Sequence, residues 1–294
     1  MAAPATGNQI WRGAAYVIAA AFLFALAPAV ARHASSELNV LILVFWTNIW
    51  MFVLMCLWVM VRPPAGGLQT GKLGKHFLRS VFTYGAIVTY FYAVRHIPFA
   101  NAVILQSMGP LFVPILALLI FRRLSDRYVW LGVLISFIGV MLIVRPDRVD
   151  VSVGEVSALL AALGGAAAAL VIWSLGTTEP PDRQMFYFAF FALLLSTVSL
   201  PWVWQWPTTD QMIQVFFIAL CTIVGQFFYA KAFSIAPGDK VNTWIYMSLV
   251  FAAIIGFVLW DEPILGFTVV GAALVVGGAY LATRENGAKK SRAG

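Results

Sequence analysis

Long apolar runs separated by short polar stretches are the feature of this sequence that most restricts its fold. A helix needs about 20 predominantly apolar residues to cross a hydrocarbon core about 30 Å thick. Ten windows of this kind occur along the 294 residues, at 11–31, 40–61, 77–94, 99–121, 128–144, 154–175, 185–204, 211–235, 241–260 and 264–282. Because a backbone that faces lipid must satisfy its own hydrogen bonds, these windows predict helices. We therefore expect an all-α, polytopic membrane protein whose ten helices span a lipid bilayer.

The composition supports a membrane protein and argues against a nucleic-acid partner. Apolar residues make up 62% of the chain and charged residues 11%, which lies outside the range of soluble domains. The net charge of +7 is spread over many short segments and contains no motif that reads a nucleic-acid groove. The charge is therefore better explained by membrane topology.

The distribution of Lys and Arg predicts the orientation, because these residues accumulate in short cytoplasmic loops. If the amino terminus is inside, most basic residues, including Arg79 and Arg183, fall in inner segments, and Lys231 falls within a span. The outer segments then contain only Arg32, Arg95, Arg145 and Arg148. This bias predicts a multi-pass protein of the plasma (inner) membrane with both termini in the cytoplasm.

The second half of the sequence repeats the first. The tripeptide Phe-Tyr-Ala occurs at 91–93 and again at 228–230, where an apolar run ends. Further matches at similar spacing pair Gly13 with Gly154, Pro98 with Pro237, Gly132 with Gly271, and Gly139 with Gly278. The pattern predicts two five-helix repeats, at 1–150 and 151–294. Because five is an odd number, the second repeat is expected to be inverted, as in many secondary transporters with a central cavity.

The sequence contains no pattern typical of an enzyme or an ion channel. It has no metalloprotease or serine-hydrolase motif, no paired carboxylates within a span and no ring-forming filter. The two cysteines, Cys56 and Cys221, lack metal-ligand spacing, so we expect no catalytic residue, cofactor or metal. His76 and His96 lie near span ends, where solvated rings are expected. Transport of a small molecule is the leading hypothesis, and a membrane scaffold that transports nothing is the alternative outside transport.

These features together resemble a known family. The ten spans, the Tyr-Ala step ending the third, the prolines of the fourth and the Gly-x6-Gly of the fifth resemble the EamA-type branch of the drug/metabolite transporter (DMT) superfamily. The density of aromatic residues in the spans is similar to that of aromatic amino-acid exporters of the YddG type. The resemblance implies a cavity between helices 1–4 and 6–9, with helices 5 and 10 at the periphery. Family members commonly carry an acidic residue nine positions before the first glycine of the fifth and tenth helices; Glu262 fits this pattern, but Arg123 stands at the corresponding position of the first half. An arginine often found in the second span is also absent, and Asn48 is the nearest polar residue. Because of these departures, we assign no functional role to these positions from the resemblance.

Small residues in the fifth and tenth spans predict close helix packing, since small side chains let helix backbones approach in lipid. Gly132, Ser136 and Gly139 share one face of the fifth span, and Gly271 and Gly278 form a related stripe in the tenth. The same stripes could form a dimer face, so the sequence leaves monomer and homodimer undecided.

Candidate residues for the cavity are polar or aromatic and lie within the other spans, because a polar group in lipid is costly unless it faces protein or water. They are Tyr84, Thr89, Tyr90, Tyr92, Gln106, Ser107, Trp173, Gln226, Tyr229, Trp244, Tyr246 and Ser248, with Trp46 and Asn48 in the second span. Core packing is the alternative for each aromatic residue. Gln106 and Gln226 are the stronger candidates, because an amide needs several hydrogen-bond partners.

Two prolines mark a candidate hinge in the fourth span. Pro110 and Pro114 each remove a helix hydrogen bond and could free carbonyls toward a substrate. Their counterparts in the second half are Leu249 and Ala253, so we expect a larger bend in the fourth span than in the ninth.

The expected lining limits the transported molecule. Lys231 and Arg95 are the only basic residues that this interpretation brings near the membrane interior, and both lie near helix ends, which disfavours phosphate-bearing cargo. Asp261 lies at the outer edge, which disfavours cationic drugs. A neutral or zwitterionic molecule remains, such as an aromatic amino acid, Met or Thr, exported by alternating access. Export of amphipathic drugs or other metabolites is the alternative within transport.

Overall fold

A computed structural model describes residues 7–34, 38–97, 99–122, 124–144, 152–198, 200, 204–261 and 266–284. Within these ranges the chain is helical and contains no strand. The α-helices are α1 (Gly7–Ala34), α2 (Val40–Val61), α3 (Leu73–His96), α4 (Phe99–Gln106), α5 (Gly109–Phe121), α6 (Arg127–Val144), α7 (Val153–Gly176), α8 (Pro181–Thr197), α9 (Thr209–Ile235), α10 (Gly238–Val241), α11 (Met247–Trp260) and α12 (Gly266–Thr283). A 3₁₀ helix at Asn242–Tyr246 joins α10 to α11.

Helices occupy the predicted spans, but not all of them meet the criteria for crossing a membrane. Seven described segments are long and apolar enough, namely Gly7–Ala27, Val40–Val61, Ala102–Phe121, Val153–Gly176, Thr209–Ile235, Gly238–Leu259 and Gly266–Thr283. The helix α3 is long but contains Lys75, Arg79 and Arg95, and α8 has only 17 residues. Seven such helices indicate a multi-pass membrane protein.

Local sequence signals explain where several helices begin. Ser152 and Glu155 form a capping box at the start of α7, in which the Ser152 amide donates to Glu155 Oε2 at 2.9 Å. Thr208 and Gln211 form the same arrangement at the start of α9. Each box satisfies amide groups that the first helical turn leaves without partners.

Helix packing joins the amino-terminal half of the chain to the carboxy-terminal half. The helix α1 packs along α9, and α3 packs along α7. The helices α2 and α8 pack together, as do α6 and α12. The largest buried apolar cluster lies at these interfaces and includes Val17, Leu170 and Phe233. The halves are therefore held together by a shared core.

The tightest of these contacts is between α6 and α12, where glycine is required. A Cβ at Gly132 would lie 2.4 Å from the carbonyl oxygen of Gly278, and one at Gly139 would lie 2.5 Å from that of Gly271. The hydroxyl of Ser136 donates to the Val275 carbonyl at 3.1 Å between the two backbones. The predicted small stripes are thus buried against each other within one chain, rather than displayed to a second copy.

Backbone conformations at helix ends recur between the halves. Ile97 after α3 and Ala236 after α9 are both extended, and each amide donates to the carbonyl four residues earlier. Arg122 after α5 and Asp261 after α11 both adopt left-handed conformations, with φ of 51° and 53°. These matches extend the sequence repeat to backbone geometry.

Candidate functional site

A cavity of about 530 Å³ lies between the two halves of the chain. Its volume is within the range of about 300–1,000 Å³ that is usual for small-molecule sites. Helices from both halves contribute, and the lining consists of Phe24, Ala25, Tyr90, Val103, Gln106, Ser107, Gly109, Pro110, Val113, Ala161, Ala162, Gly165, Ala166, Ala169, Tyr229, Asn242, Ile245, Tyr246, Ser248, Leu249 and Ala252.

Interrupted helices form two sides of this cavity. In the fourth span the chain turns at Ser107 between α4 and α5, and Pro110 lies in the first turn of α5. In the ninth span residues of the 3₁₀ helix Asn242–Tyr246 also line the cavity. Irregular backbone within a membrane protein is tolerated where it lines a cavity. The prolines indicated an irregularity in the fourth span, whereas the ninth span is interrupted without any proline.

Polar groups are concentrated on the two interrupted spans and on α9. The hydroxyl of Tyr229 hydrogen-bonds to Asn242 Oδ1. The hydroxyls of Ser107 and Ser248 donate within their own segments, to the Val103 and Ile245 carbonyls. Gln106 is exposed and lines the cavity. The amide of Gln106 is therefore positioned to hydrogen-bond to a ligand.

The rest of the cavity lining consists of aromatic rings and of small side chains from α7. Phe24 lies edge-on to Tyr229 with ring centroids 6.3 Å apart, and Tyr246 is almost completely buried. The wall from α7 consists of alanine and glycine, including Ala162 and Gly165. Small side chains here leave room for a ring-bearing ligand to lie against the helix.

About half of the predicted candidates line this cavity. The structure brings together Tyr90, Gln106, Ser107, Tyr229, Tyr246 and Ser248, with Pro110 from the candidate hinge. The others do not line it, namely Tyr84, Thr89, Tyr92, Trp173, Gln226, Trp244 and Pro114.

The candidates outside the cavity have other contacts. Thr89 hydrogen-bonds to the Gly85 carbonyl of its own helix, and Tyr92 is 42% exposed and stacks on His96. Trp173 packs over Gly238, and Trp244 lies beside Trp11. These aromatic side chains make their contacts away from the cavity lining.

The two second-span candidates also have packing roles. Asn48 Nδ2 donates to the Ala192 carbonyl at 3.2 Å and thereby ties α2 to α8. Trp46 contacts the rings of Trp204 and Trp206.

The sequence argument missed Asn242 and Phe24. Asn242 carries an amide near the start of an apolar span, so the rule that selected Gln106 and Gln226 would also have selected it. Phe24 gave no signal that distinguishes it from the other phenylalanines.

A buried polar cluster lies at one end of the bundle, and none of its members lines the cavity. We call it the polar cluster; it consists of His76, Arg79, Glu179, Arg183 and Gln184, all of them buried. Its members come from α3, α8 and the segment that precedes α8, so the cluster joins the two halves.

Glu179 and Arg183 are the ion pair of the polar cluster. Arg183 Nη1 lies 2.9 Å from Glu179 Oε2, and the Thr70 hydroxyl donates to Glu179 Oε1 at 2.8 Å. Arg183 also donates to the carbonyls of Ala65 and Gly67 in the segment between α2 and α3. Although burial opposes ionisation, the hydrogen bonds from Arg183 and Thr70 hold the pKa of Glu179 below its ordinary value.

Two basic residues of the polar cluster are buried, although the sequence predicted that both would be in contact with solvent. The ring of His76, which was expected to be solvated, is completely buried beside Tyr187. Arg79, which was assigned to an inner loop, lies within α3 and is also completely buried. The helix α3 begins at Leu73, four residues before the predicted span at 77–94, and Arg79 lies inside the helix near the start of that span.

The chain belongs to the EamA-like transporter family, because the model of that family matches residues 11–145 and again residues 152–284. This confirms the family predicted from the repeat and the span motifs. The chain is therefore a membrane transporter of the drug/metabolite transporter superfamily. Glu262, Arg123, Arg145 and Arg148, named in the sequence analysis, lie outside the described residues.

Known relatives carry varied substrates. The chain is 28% identical over 269 residues to the pseudopaline exporter CntI of Pseudomonas aeruginosa, covering 90% of this chain and 93% of the relative. It is 26% identical over 295 residues to the riboflavin transporter of Vibrio cholerae, covering 96% and 95%. It is 24% identical over 209 residues to the S-adenosylmethionine uptake transporter of Rickettsia prowazekii, covering 71% of each.

One solved structure has the same fold. It is described only as a crystal structure of a protein, and it superposes with a TM-score of 0.79 over 94% of this chain and 96% of the other. The sequence identity is 15%, so this likeness establishes the fold alone.

Proposed function

We propose that this chain is a secondary transporter that exports small zwitterionic molecules with an apolar part, foremost amino acids such as Phe, Trp, Tyr, Met or Thr. The observation that carries this proposal is the cavity between the halves, which is lined both by the rings of Phe24, Tyr90 and Tyr246 and by amide and hydroxyl groups. Aromatic rings stack on an apolar side chain, and amides orient the polar end of the ligand.

The proposed architecture has ten crossings, with residues 1–150 and 151–294 as inverted repeats and both termini in the cytoplasm. Its support is the pairing of helices, since α1 with α9 and α3 with α7 are equivalent contacts if the two halves are exchanged. Gly13 lies against Ala236 in the same way that Gly154 lies against Ile97. The recurring helix-end conformations agree with the same symmetry.

The proposed mechanism is alternating access, and the polar cluster closes one end of the bundle in this conformation. In the proposed topology the polar cluster lies at the cytoplasmic side, where it seals the bundle while the cavity is accessible from outside. A transport cycle would separate the segment between α2 and α3 from α8, breaking the Arg183 contacts to Ala65 and Gly67. The sequence contains no ATP-binding motif, so substrate or ion gradients would drive the cycle.

Flux from proteoliposomes tests this function. Vesicles are loaded with labelled Phe, Trp, Met or Thr, and release is measured with and without a pH gradient. We expect saturable flux for at least one of them. Tyr229→Phe removes a cavity hydroxyl and should lower kcat/KM about 3- to 10-fold, whereas Tyr92→Phe, outside the cavity, should leave it unchanged.

The flux experiment also distinguishes the alternatives. Absence of flux for every amino acid, from folded protein that transports an amphipathic dye, would replace amino acids with drugs as the cargo. Equal effects of Tyr229→Phe and Tyr92→Phe would show that the cavity described here is not the site.

A further inference from the structure

Arg79 has a buried charge without a negatively charged partner among the described residues. Its side chain is completely buried in the second turn of α3. Nη1 donates to the Gln184 carbonyl at 3.4 Å, and Nη2 donates to Gln226 Oε1 at 3.1 Å. Nε has no partner, and the guanidinium lies 4.5 Å from the centroid of the Phe188 ring. All of these contacts are with neutral groups.

The acidic residue of the polar cluster is already engaged elsewhere. Glu179 pairs with Arg183 and accepts a hydrogen bond from Thr70. His76 carries no negative charge in either protonation state, so it does not compensate Arg79. A buried cation that is not compensated destabilises the folded protein strongly. A chain that keeps Arg79 in this position therefore carries a strong attraction for an anion.

Arg79 is close to the wall of the cavity. Its partner Gln226 lies one helical turn before Tyr229 on α9, and Tyr229 lines the cavity. Residues three apart on a helix share a face, so Arg79 bonds to α9 about one helical turn from a residue that lines the cavity.

We propose that Arg79 binds the carboxylate of the transported molecule when the bundle opens at the polar cluster. Gln226 holds the guanidinium while that end is closed, and its amide oxygen is replaced by the substrate carboxylate on opening. A planar guanidinium matches a carboxylate in two parallel hydrogen bonds, which a neutral amide cannot supply. This inference rests on the proposed function and restricts its cargo to molecules with a free carboxylate.

Arg79 adds a buried cation that the sequence did not place in the membrane interior. The sequence disfavoured phosphate-bearing cargo because it brings only Lys231 and Arg95 near the membrane interior. The buried Arg79 removes this premise. One cation among neutral partners suits a single carboxylate better than a doubly charged phosphate, which would need further cations.

The test compares each amino acid with its carboxamide in two assays, flux from proteoliposomes and thermal stabilisation of the purified protein. The pairs are phenylalanine with phenylalaninamide, tryptophan with tryptophanamide, and methionine with methioninamide. We expect the native chain to prefer the carboxylate, with the preference falling about 10- to 100-fold in Arg79→Gln. Arg79→Lys should keep part of it. Arg127→Gln, an exposed arginine on α6, is the control and should keep all of it.

A second variant covers the case in which Arg79→Gln does not fold. Gln226→Glu supplies a resident carboxylate to Arg79, so the cation stays paired while the preference for a carboxylate ligand should disappear. Equal responses to acids and amides in the native chain, or an unchanged preference in Gln226→Glu, would overturn the inference. Stronger stabilisation by inorganic phosphate than by any carboxylate would also overturn it.

The two assays separate this inference from the proposed function. Carboxylate-selective stabilisation that is lost in Gln226→Glu, without flux, would support the site and reject amino-acid transport. Flux without any carboxylate preference would support transport and reject the role of Arg79. Neither flux nor stabilisation would reject both.

Discussion

At the scale of single residues, Glu179 is the side chain on which the closed end of the bundle depends most. It pairs with Arg183 and accepts from Thr70, so it connects α8 to the segment that precedes α3. Removing one partner from a buried ion pair leaves the other charge without compensation. The effect of its loss should therefore be larger than that of an exposed acidic residue nearby.

We predict that Glu179→Gln lowers the stability of the protein in detergent by about 1–3 kcal/mol at pH 7. The pKa of Glu179 is lowered in the folded chain, so its contribution is complete above the ordinary value of 4.5 and is lost as the pH falls through the folded value. The difference in Tm between native and variant protein should therefore shrink as the pH falls below about 4.5. Asp182→Asn, which alters an exposed hydrogen bond to Trp58, is the control. A pH-independent difference would contradict this assignment.

At the scale of helices, the pairing of α6 with α12 gives the sharpest prediction, because two neighbouring glycines differ in their surroundings. A Cβ at Gly278 would lie 2.4 Å from both the Gly132 carbonyl and Ser136 Oγ, whereas a Cβ at Gly277 would meet nothing within 4 Å. Helix backbones this close cannot admit a methyl group without moving apart.

We predict that Gly278→Ala lowers the stability by about 1–3 kcal/mol. Gly277→Ala should leave it unchanged or raise it by up to about 1 kcal/mol, since alanine favours the helix. Thermal unfolding of the two variants in the same detergent measures the difference. Similar Tm values for both would show that α6 and α12 are not in the contact described.

The positions of most helices followed from the sequence, whereas their ends did not. Apolar length located α2 and α9 closely, because lipid-facing segments must be apolar throughout. The helix α3 begins four residues before its predicted span, so His76 was expected in solvent. Arg79 lies at the start of that span and was counted with the inner loop. Hydropathy measures the free energy of placing a residue in lipid, so it cannot detect a polar residue that is buried against other helices. The 3₁₀ helix Asn242–Tyr246 was missed for a related reason, since no proline or glycine lies within it.

The candidate site was predicted in part. Gln106, Tyr229 and Tyr246 were selected and line the cavity, since polar groups within apolar spans turn toward protein or water. Trp173 and Trp244 were selected by the same rule and pack elsewhere. A tryptophan is mostly apolar, so its presence in a span does not distinguish a ligand site from a core position.

At the scale of the whole molecule, the central claim is that access to the cavity and closure of the polar cluster alternate. Ser107 lines the cavity and Gln184 is completely buried in the polar cluster. In a two-state transporter, conditions that close one side open the other. The reactivities of these two positions should therefore change in opposite directions.

The most direct test is thiol labelling of single-cysteine variants, in a chain where Cys56 and Cys221 have been replaced by serine. Ser107→Cys and Gln184→Cys are each treated with a membrane-impermeant maleimide from either side of the membrane, with and without a substrate gradient. We predict that Ser107→Cys reacts at rest while Gln184→Cys does not. During transport, the rate at Ser107→Cys should fall and the rate at Gln184→Cys should rise. If Gln184→Cys remains unreactive during measurable flux, or if both rates rise together, the alternation of access is contradicted.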